Sequence, residues 1–342
     1  MNLPALIVLT AIKITLILVV FLTAIAYTVL MERKVLGFIQ LRYGPNRVGP
    51  WGLLQPLADL LKLLFKEDFT PPHVNKVLFV LAPVITAVTA FLPFAVIPFA
   101  QQILPNEFSF FGVTFDLTTA GLNQGVMADI NVGLLYVFGM GSLAVYGAVL
   151  GGWASNNKYS LLGGLRLAAQ MVSYELPLGL SVIGVLMLTG SLSLVKIVEA
   201  QSSMWFIVYQ PLGFVIFFIA ALAECARTPF DLIECENELV AGFQTEYSSM
   251  KWALFMLGEY CHIIVASALA TTLFLGGWQG PFLPPIFWFV GKTFLLVFVF
   301  IWFRGTFPRF RFDQLMQVGW KVLLPLSLVN ILVTGAVMLA IK

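Results

Sequence analysis

Charge is what this chain has least of. Only 11% of its 342 residues are Asp, Glu, Lys or Arg, against 60% hydrophobic and 14% aromatic. A soluble domain carries about 25% charged residues. The chain cannot cover a water-facing surface of its own size, which excludes a soluble enzyme, a disordered segment and a nucleic-acid-binding protein. Cysteine is scarce too: Cys225, Cys235 and Cys261 form no Cys-x-x-Cys pair. A typical iron–sulfur run is thereby excluded, and a disulfide framework is not expected. Of two histidines only His262 lies in an apolar stretch, so a haem held between facing helices lacks its ligand pair. No Gly-x-Gly-x-x-Gly or P-loop follows a strand, and no carboxylate spacing fits Ca²⁺ or Zn²⁺, so no nucleotide and no metal is expected on this chain. There is no internal repeat, which counts against an inverted-repeat transporter. The first apolar run continues to Met31 without a small-residue cleavage site, so it is not read as a signal peptide.

What is present is apolar length. A hydrocarbon core of about 30 Å needs roughly 20 apolar residues as helix. Eight stretches qualify, at roughly 4–31, 77–99, 130–152, 163–190, 203–224, 250–275, 285–304 and 321–341. The expected fold is therefore an all-α polytopic membrane protein of about eight transmembrane helices, with residues 1–342 forming a single membrane domain. Numbering the connections alternately places fifteen of the nineteen Lys and Arg residues on one side. That side is expected to be cytoplasmic and both termini periplasmic. The outer loop 100–129 carries alternating aromatics (Phe108, Phe110, Phe111, Phe115) consistent with a small hairpin.

Between the first two spans, segment 32–76 opens with turn signals, Gly44-Pro45-Asn46 and Gly49-Pro50. From Trp51 to Lys66 the polar residues Gln55, Asp59, Lys62 and Lys66 fall at i, i+4, i+7 and i+11, one stripe on an otherwise apolar helix. Sixteen residues reach only about 24 Å, so an amphipathic helix over 51–66 is expected to lie in the membrane interface. It serves either as a plain surface anchor or as a wall between the bilayer and a docked partner.

Three acids sit in apolar spans: Glu175, Glu224 and Glu259. A carboxylate at the bilayer centre is disfavoured by about 2.5–3.5 kcal/mol and normally faces the bundle interior. These residues are candidates for proton exchange; the alternative is hydrogen-bonded packing near helix ends. The loop from Glu224 to Glu246 holds six acids and one arginine on the basic side of the membrane. Within it, Thr228-Pro229-x-Asp231 has the form of a helix start, and Glu234 and Glu238 would share a helix face. This loop is either solvated or an acidic vestibule. In the last inner loop Arg304, Arg309 and Arg311 alternate with Phe307, Phe310 and Phe312, which suits lipid headgroups or a protein partner rather than RNA. Lys13, Lys196 and His262 read as packing or snorkelling residues. Lys292 is either snorkelling or a relay member.

Several segments together carry a family resemblance. They are Met31-Glu32-Arg33-Lys34-Val35-Leu36-Gly37, Arg42-Tyr43-Gly44-Pro45-Asn46-Arg47-Val48-Gly49, Gln55-Pro56-Leu57-Ala58-Asp59, Glu224-x-x-Arg227-Thr228-Pro229-Phe230-Asp231-Leu232 and Pro308-Arg309-Phe310-Arg311-Phe312-Asp313-Gln314-Leu315-Met316. In order and over essentially the whole chain, they resemble the H subunits of bacterial NADH:quinone oxidoreductase (respiratory complex I), homologues of mitochondrial subunit 1. The resemblance implies a membrane subunit at the junction of the peripheral and membrane arms in a bacterial inner membrane. Its first span, interfacial helix and sixth span would line the entrance to a quinone chamber. No cofactor is implied on this chain, with quinone as substrate. FMN and iron–sulfur clusters would belong to peripheral-arm subunits that also bind the quinone headgroup. Antiporter-like and small membrane subunits would be further partners. By the same resemblance, a proton path maps onto Asp59, Glu175, Glu224, Glu234, Glu236, Glu238 and Glu259, and the charged part of the quinone chamber onto Glu32, Arg33, Arg42, Arg304 and Arg309. Two other classes share the composition: a membrane anchor of an energy-converting hydrogenase, and an autonomous cation/proton antiporter.

Overall fold

Helix α1 (Leu3–Ile39) sets the frame. After Pro4 nothing in the sequence breaks it, and at 1.5 Å per residue its 37 residues extend about 55 Å, well past a bilayer core. The segment 32–39, expected as the start of a loop, is therefore helical. Glycine alone fits at Gly37, where the chain folds back on itself: a Cβ would meet Arg42 O and Gly44 N at 3.0 Å. The computed structural model describes residues 3–102, 107–110, 113–116, 124–232 and 239–341.

Helix α2 (Gln55–Phe65) is shorter than the expected 51–66. Trp51 and Gly52 have φ of 55° and 77°, left-handed values that cannot start an α-helix. The apolar stripe survives, with Leu57, Leu60, Leu61 and Leu64 exposed. Helix α3 (Lys76–Phe91) starts at Asn75, whose side chain accepts from Leu78 N at 3.5 Å, and closes in a 3₁₀ turn, Leu92–Ala95.

The outer segment forms the expected hairpin. Strand β2 (Glu107–Phe110) pairs antiparallel with β3 (Val113–Asp116), with Phe108 opposite Phe115. Around it β1 (Ala100–Gln102) pairs with β4 (Gln124–Gly125). Lys13 of α1 donates to Gln124 O (3.1 Å) and Val126 O (2.9 Å), so the N-terminal half of α1 lies at the level of this segment.

Next come α4 (Gly133–Ala154), α5 (Lys158–Thr189), α6 (Leu194–Ala200), α7 (Phe206–Tyr209) and α8 (Pro211–Glu224). Then follow α9 (Ser249–Phe274), α10 (Pro285–Thr306) and α11 (Phe312–Gln317), which runs through a π-helical turn (Val318–Leu323) into α12 (Leu324–Ile341). Among the described residues seven helices are long and apolar enough to cross a membrane. The expected span 203–224 is the exception. It breaks between Tyr209 and Pro211, and α8 has 14 residues, about 21 Å.

Two buried glutamines satisfy the backbone and neighbours that this break leaves behind. Gln201 donates to Thr272 O (2.8 Å) and accepts from Phe206 N (3.2 Å) and Gly276 N (2.9 Å). Gln210 donates to Thr334 Oγ1 (2.7 Å) and accepts from Asn330 Nδ2 (2.9 Å). Lys292 is also spent on the backbone: its ammonium donates to Leu275 O (2.6 Å), Gly277 O (3.2 Å) and Gln279 O (2.6 Å) and sits over the Trp205 ring at 4.2 Å. The three carbonyls it holds match the three protons it can donate.

No helix starts at Pro229. Residues 228–232 form turns and irregular chain, because tertiary partners hold their backbone instead. Gln170 Nε2 of α5 donates to Ala223 O (2.7 Å) and Phe230 O (3.0 Å), and Phe310 N donates to Pro229 O (3.0 Å).

Helix α5 packs against α4, α8 and α12, with small residues where backbones meet. At Gly163 the turn Gly242–Gln244 lies so close that a Cβ would be 2.7 Å from Gly242 Cα and Phe243 N. Gly163→Ala is expected to destabilise the chain by about 1–3 kcal/mol through overpacking. A lower thermal unfolding midpoint in detergent checks this; an unchanged midpoint contradicts it.

Candidate functional site

The C-terminal part of α1 places three charged residues in succession, and 100° per residue sends them different ways. Arg33 points to α2, where Nη1 binds Asp59 Oδ2 at 2.6 Å. Asp59 also accepts from Gln55 Nε2 at 2.9 Å, and Lys34 Nζ donates to Trp51 O at 2.5 Å. These contacts tether α2 to α1. Arg42 stands apart: it is exposed, and its Nε donates to Gln40 Oε1 at 2.8 Å.

Glu32 points inward and is 5% exposed. Its Oε1 pairs with Arg304 Nη1 of α10 and with Arg227 Nη1 at 3.3 Å. The Arg227 guanidinium also meets Glu259 Oε1 of α9 at 2.7 Å through Nε, and lies over the Tyr260 ring at 4.5 Å. Four charges thus alternate in the order Glu259, Arg227, Glu32, Arg304, joining α9, the loop after α8, α1 and α10. Their sum is zero, which is what a low-dielectric interior demands. Next to them Asp231, 4% exposed, meets Arg309 Nη2 at 3.2 Å.

The other two membrane acids converge on one stretch of α4. Glu175 of α5 accepts from Ser142 Oγ. Glu224, the last residue of α8, has its Oε1 only 3.2 Å from where a Cβ of Gly141 would sit. A cavity of about 70 Å³ is lined by Glu224, Glu259, His262 and Gln244. A second, of about 30 Å³, is lined by Glu224, His262 and Gly141. Glu234, Glu236 and Glu238 lie outside the described residues.

Beside the charge cluster runs an apolar cavity of about 370 Å³ between α1, α9 and α10, lined by Phe21, Ala24, Ile264, Ala268, Phe289 and Val297 among others. It reaches Met31, the residue before Glu32. No residue of α2 lines it. Among the described residues no group of three or more His, Cys, Asp or Glu could hold a metal ion.

A family model described as NADH dehydrogenase matches residues 12–335. The chain belongs to that family. It is 58% identical to the first of the H subunits of NADH-quinone oxidoreductase in Geobacter metallireducens, covering 96% of this chain and 95% of that protein. It is 55% identical to the corresponding H subunit of Syntrophotalea carbinolica, covering 96% of each. The H subunit of Anoxybacillus flavithermus is 54% identical over 94% of this chain and 91% of that protein.

In this member of the NADH dehydrogenase family, sequence reasoning selected most of the acids that the fold gathers. From sequence, Arg227 stands out only as the one arginine of an acidic loop and Asp231 only as part of a helix start, and nothing singles out Tyr260, Ser142 or Gln170. A signal for Arg227 was there: one arginine between the apolar end of a span and Thr-Pro, in a loop otherwise acidic. Burial of such a residue follows only from where the spans pack.

The two kinds of ion pair predict different sensitivities. Arg227→Gln leaves Glu32 and Glu259 facing each other in the interior and is expected to destabilise the chain by about 3–5 kcal/mol. Arg227→Lys does not restore it, because one ammonium cannot bridge two carboxylates while stacking on Tyr260. Arg33→Gln breaks a half-exposed pair and is expected to matter by less than about 1 kcal/mol. Thermal melts of the three variants, side by side, test that order.

Proposed function

We propose that this chain is the membrane subunit of NADH:quinone oxidoreductase that forms the quinone chamber entrance and couples quinone reduction to proton translocation. The carrying observation is the placement of an apolar slot beside a neutralised charge cluster that adjoins cavity-lining carboxylates. The isoprenoid tail of a quinone is apolar and flexible. A slot of about 370 Å³ without a charged lining residue suits such a tail, and one end of it reaches Met31, the residue before Glu32.

On this reading the headgroup is reduced on peripheral-arm subunits that carry FMN and iron–sulfur clusters. Reduction takes up protons and changes the charge next to Arg33, Arg42, Arg304 and Arg309. The alternating cluster then transmits the change. Neutralising or displacing Glu32 weakens its hold on Arg227, which shifts the balance at Glu259, and Glu259 shares a cavity with Glu224. The carboxylates Asp59, Glu175, Glu224, Glu234, Glu236, Glu238 and Glu259 form the proton path, leading towards antiporter-like and small membrane subunits. Helix α2, with its leucines exposed, lies in the membrane interface. All of residues 1–342 act as one membrane domain in a bacterial inner membrane. The short α8 serves as the eighth crossing, which puts both termini on the periplasmic side.

The decisive variants are Glu224→Gln and Glu259→Gln in the assembled complex. Each is expected to reduce protons pumped per quinone reduced at least several-fold; normal pumping in both removes these residues from the mechanism. A bulky residue in the slot tests the other half. Ala268→Trp is expected to raise the KM for a long-chain quinone more than that for a short-tailed one, and equal effects on both contradict passage of the tail through the slot.

A further inference from the structure

Glu224 and His262 stand where two cavities meet. Both residues, with Cys225, line the inner cavity of about 70 Å³ and the outer one of about 30 Å³. Among the described residues His262 Nε2 is buried without a hydrogen-bond partner. A buried donor or acceptor left in this state loses about 1–3 kcal/mol, so the site calls for a partner such as water. One water needs about 10–15 Å³ and at least two polar neighbours. The inner cavity offers Glu224, Glu259, Gln244, Thr86 and His262. The outer cavity is apolar apart from Glu224, His262 and the Cys225 thiol. Glu224 and His262 are thus polar lining residues common to both cavities, placed to share a water in either.

Charge gives the pair its purpose. Among the described residues Glu224 forms no ion pair, and the charged side chain that acts on it is Glu175, of the same sign. Arg227, the nearest arginine in sequence, is committed to Glu259 and Glu32. An isolated carboxylate buried here would be strongly disfavoured.

We propose that Glu224 and His262 form a water-bridged pair holding one proton between them. The proton resides on the Glu224 carboxyl, or passes through the water to His262 Nε2. In the second state the cavities hold a carboxylate beside an imidazolium, so Glu224 ionises without leaving net charge. Nothing else is gained or lost in the exchange. His262 lies three residues after Glu259, on the same face of α9, so the pair also faces the end of the alternating cluster. Among the described residues the titratable groups that share these cavities with His262 are Glu224 and Cys225 at the end of α8 and Glu259 on its own helix, with Cys261 next to it in sequence; Glu175 acts on Glu224. From α3 and the turn that closes it come Thr86 and Pro93, which do not titrate.

The inference rests on the carboxylate path of the proposed function, and its test separates the two. In the assembled complex, His262→Leu removes the imidazole, and His262→Gln keeps a hydrogen-bonding group that cannot take up a proton. Both are expected to move the alkaline limb of the pumping profile downward, by up to about one pH unit, because the protonated pair loses the state in which the imidazole carries the proton. Infrared difference spectra between oxidised and quinol-reduced wild-type complex are expected to contain an imidazole band that both variants lack. A profile restored by Gln assigns His262 a structural role and overturns the inference. So does a wild-type difference spectrum in which the His262 band is silent, a reading that needs only a spectroscopically intact Gln variant if the Leu variant fails to assemble. Loss of pumping in Glu224→Gln with unchanged profiles in both His262 variants overturns this inference alone. Normal pumping in Glu224→Gln overturns the path on which it rests.

Discussion

One guanidinium organises the end of this molecule where α1 and α8 finish. Arg227 lies in a loop, yet it is buried, bridges Glu32 of α1 and Glu259 of α9, and stacks on Tyr260. None of these charges could be there alone. A single carboxylate in such a place would be expelled or neutralised, and a single arginine likewise. Together with Arg304 they form a neutral row, and the row fixes the spacing of α1, α9, α10 and the loop after α8. Such a row is a poor source of net stability compared with apolar packing. Its use is that any change of charge at one end is felt at the other.

The irregular parts of the bundle follow the same rule of partnership, here through hydrogen bonds. Where the helical run breaks at Gln210-Pro211, Gln201 and Gln210 supply donors and acceptors that lipid could not. Where the chain leaves α8, Gln170 reaches across from α5 to hold one carbonyl in the last turn of the helix and one in the loop. Lys292 ends the backbone after α9. These polar residues look functional in a hydropathy profile, but their partners account for them fully. Among the described residues His262 differs because its Nε2 has no partner, and Glu224 because it forms no ion pair.

The expectation of a helical membrane protein was legible because it rests on length and apolarity, and seven of the eight expected spans stand as long apolar helices among the described residues. The hairpin in the outer segment was legible from alternating aromatics. Local errors had local causes. Two left-handed residues delay α2 to Gln55, and an uninterrupted helical run carries α1 past the membrane to Ile39. Among the described residues 228–232 the chain is not helical, for a distant cause, the side chain of Gln170 and the chain near Phe310. No window of sequence around Pro229 contains either.

The family and most of the acids could be chosen from the amino-acid order by itself, since a charged residue within an apolar run announces its own cost. What the order left open was pairing. Glu32 and Arg304 are 272 residues apart and Glu32 and Arg227 are 195 apart, and nothing local distinguishes these residues from Arg42, which remains exposed. Only the packing of α1 against α9 and α10 decides which charges meet, because ion pairing in a low-dielectric interior depends on distances of a few ångströms that separation along the chain does not encode.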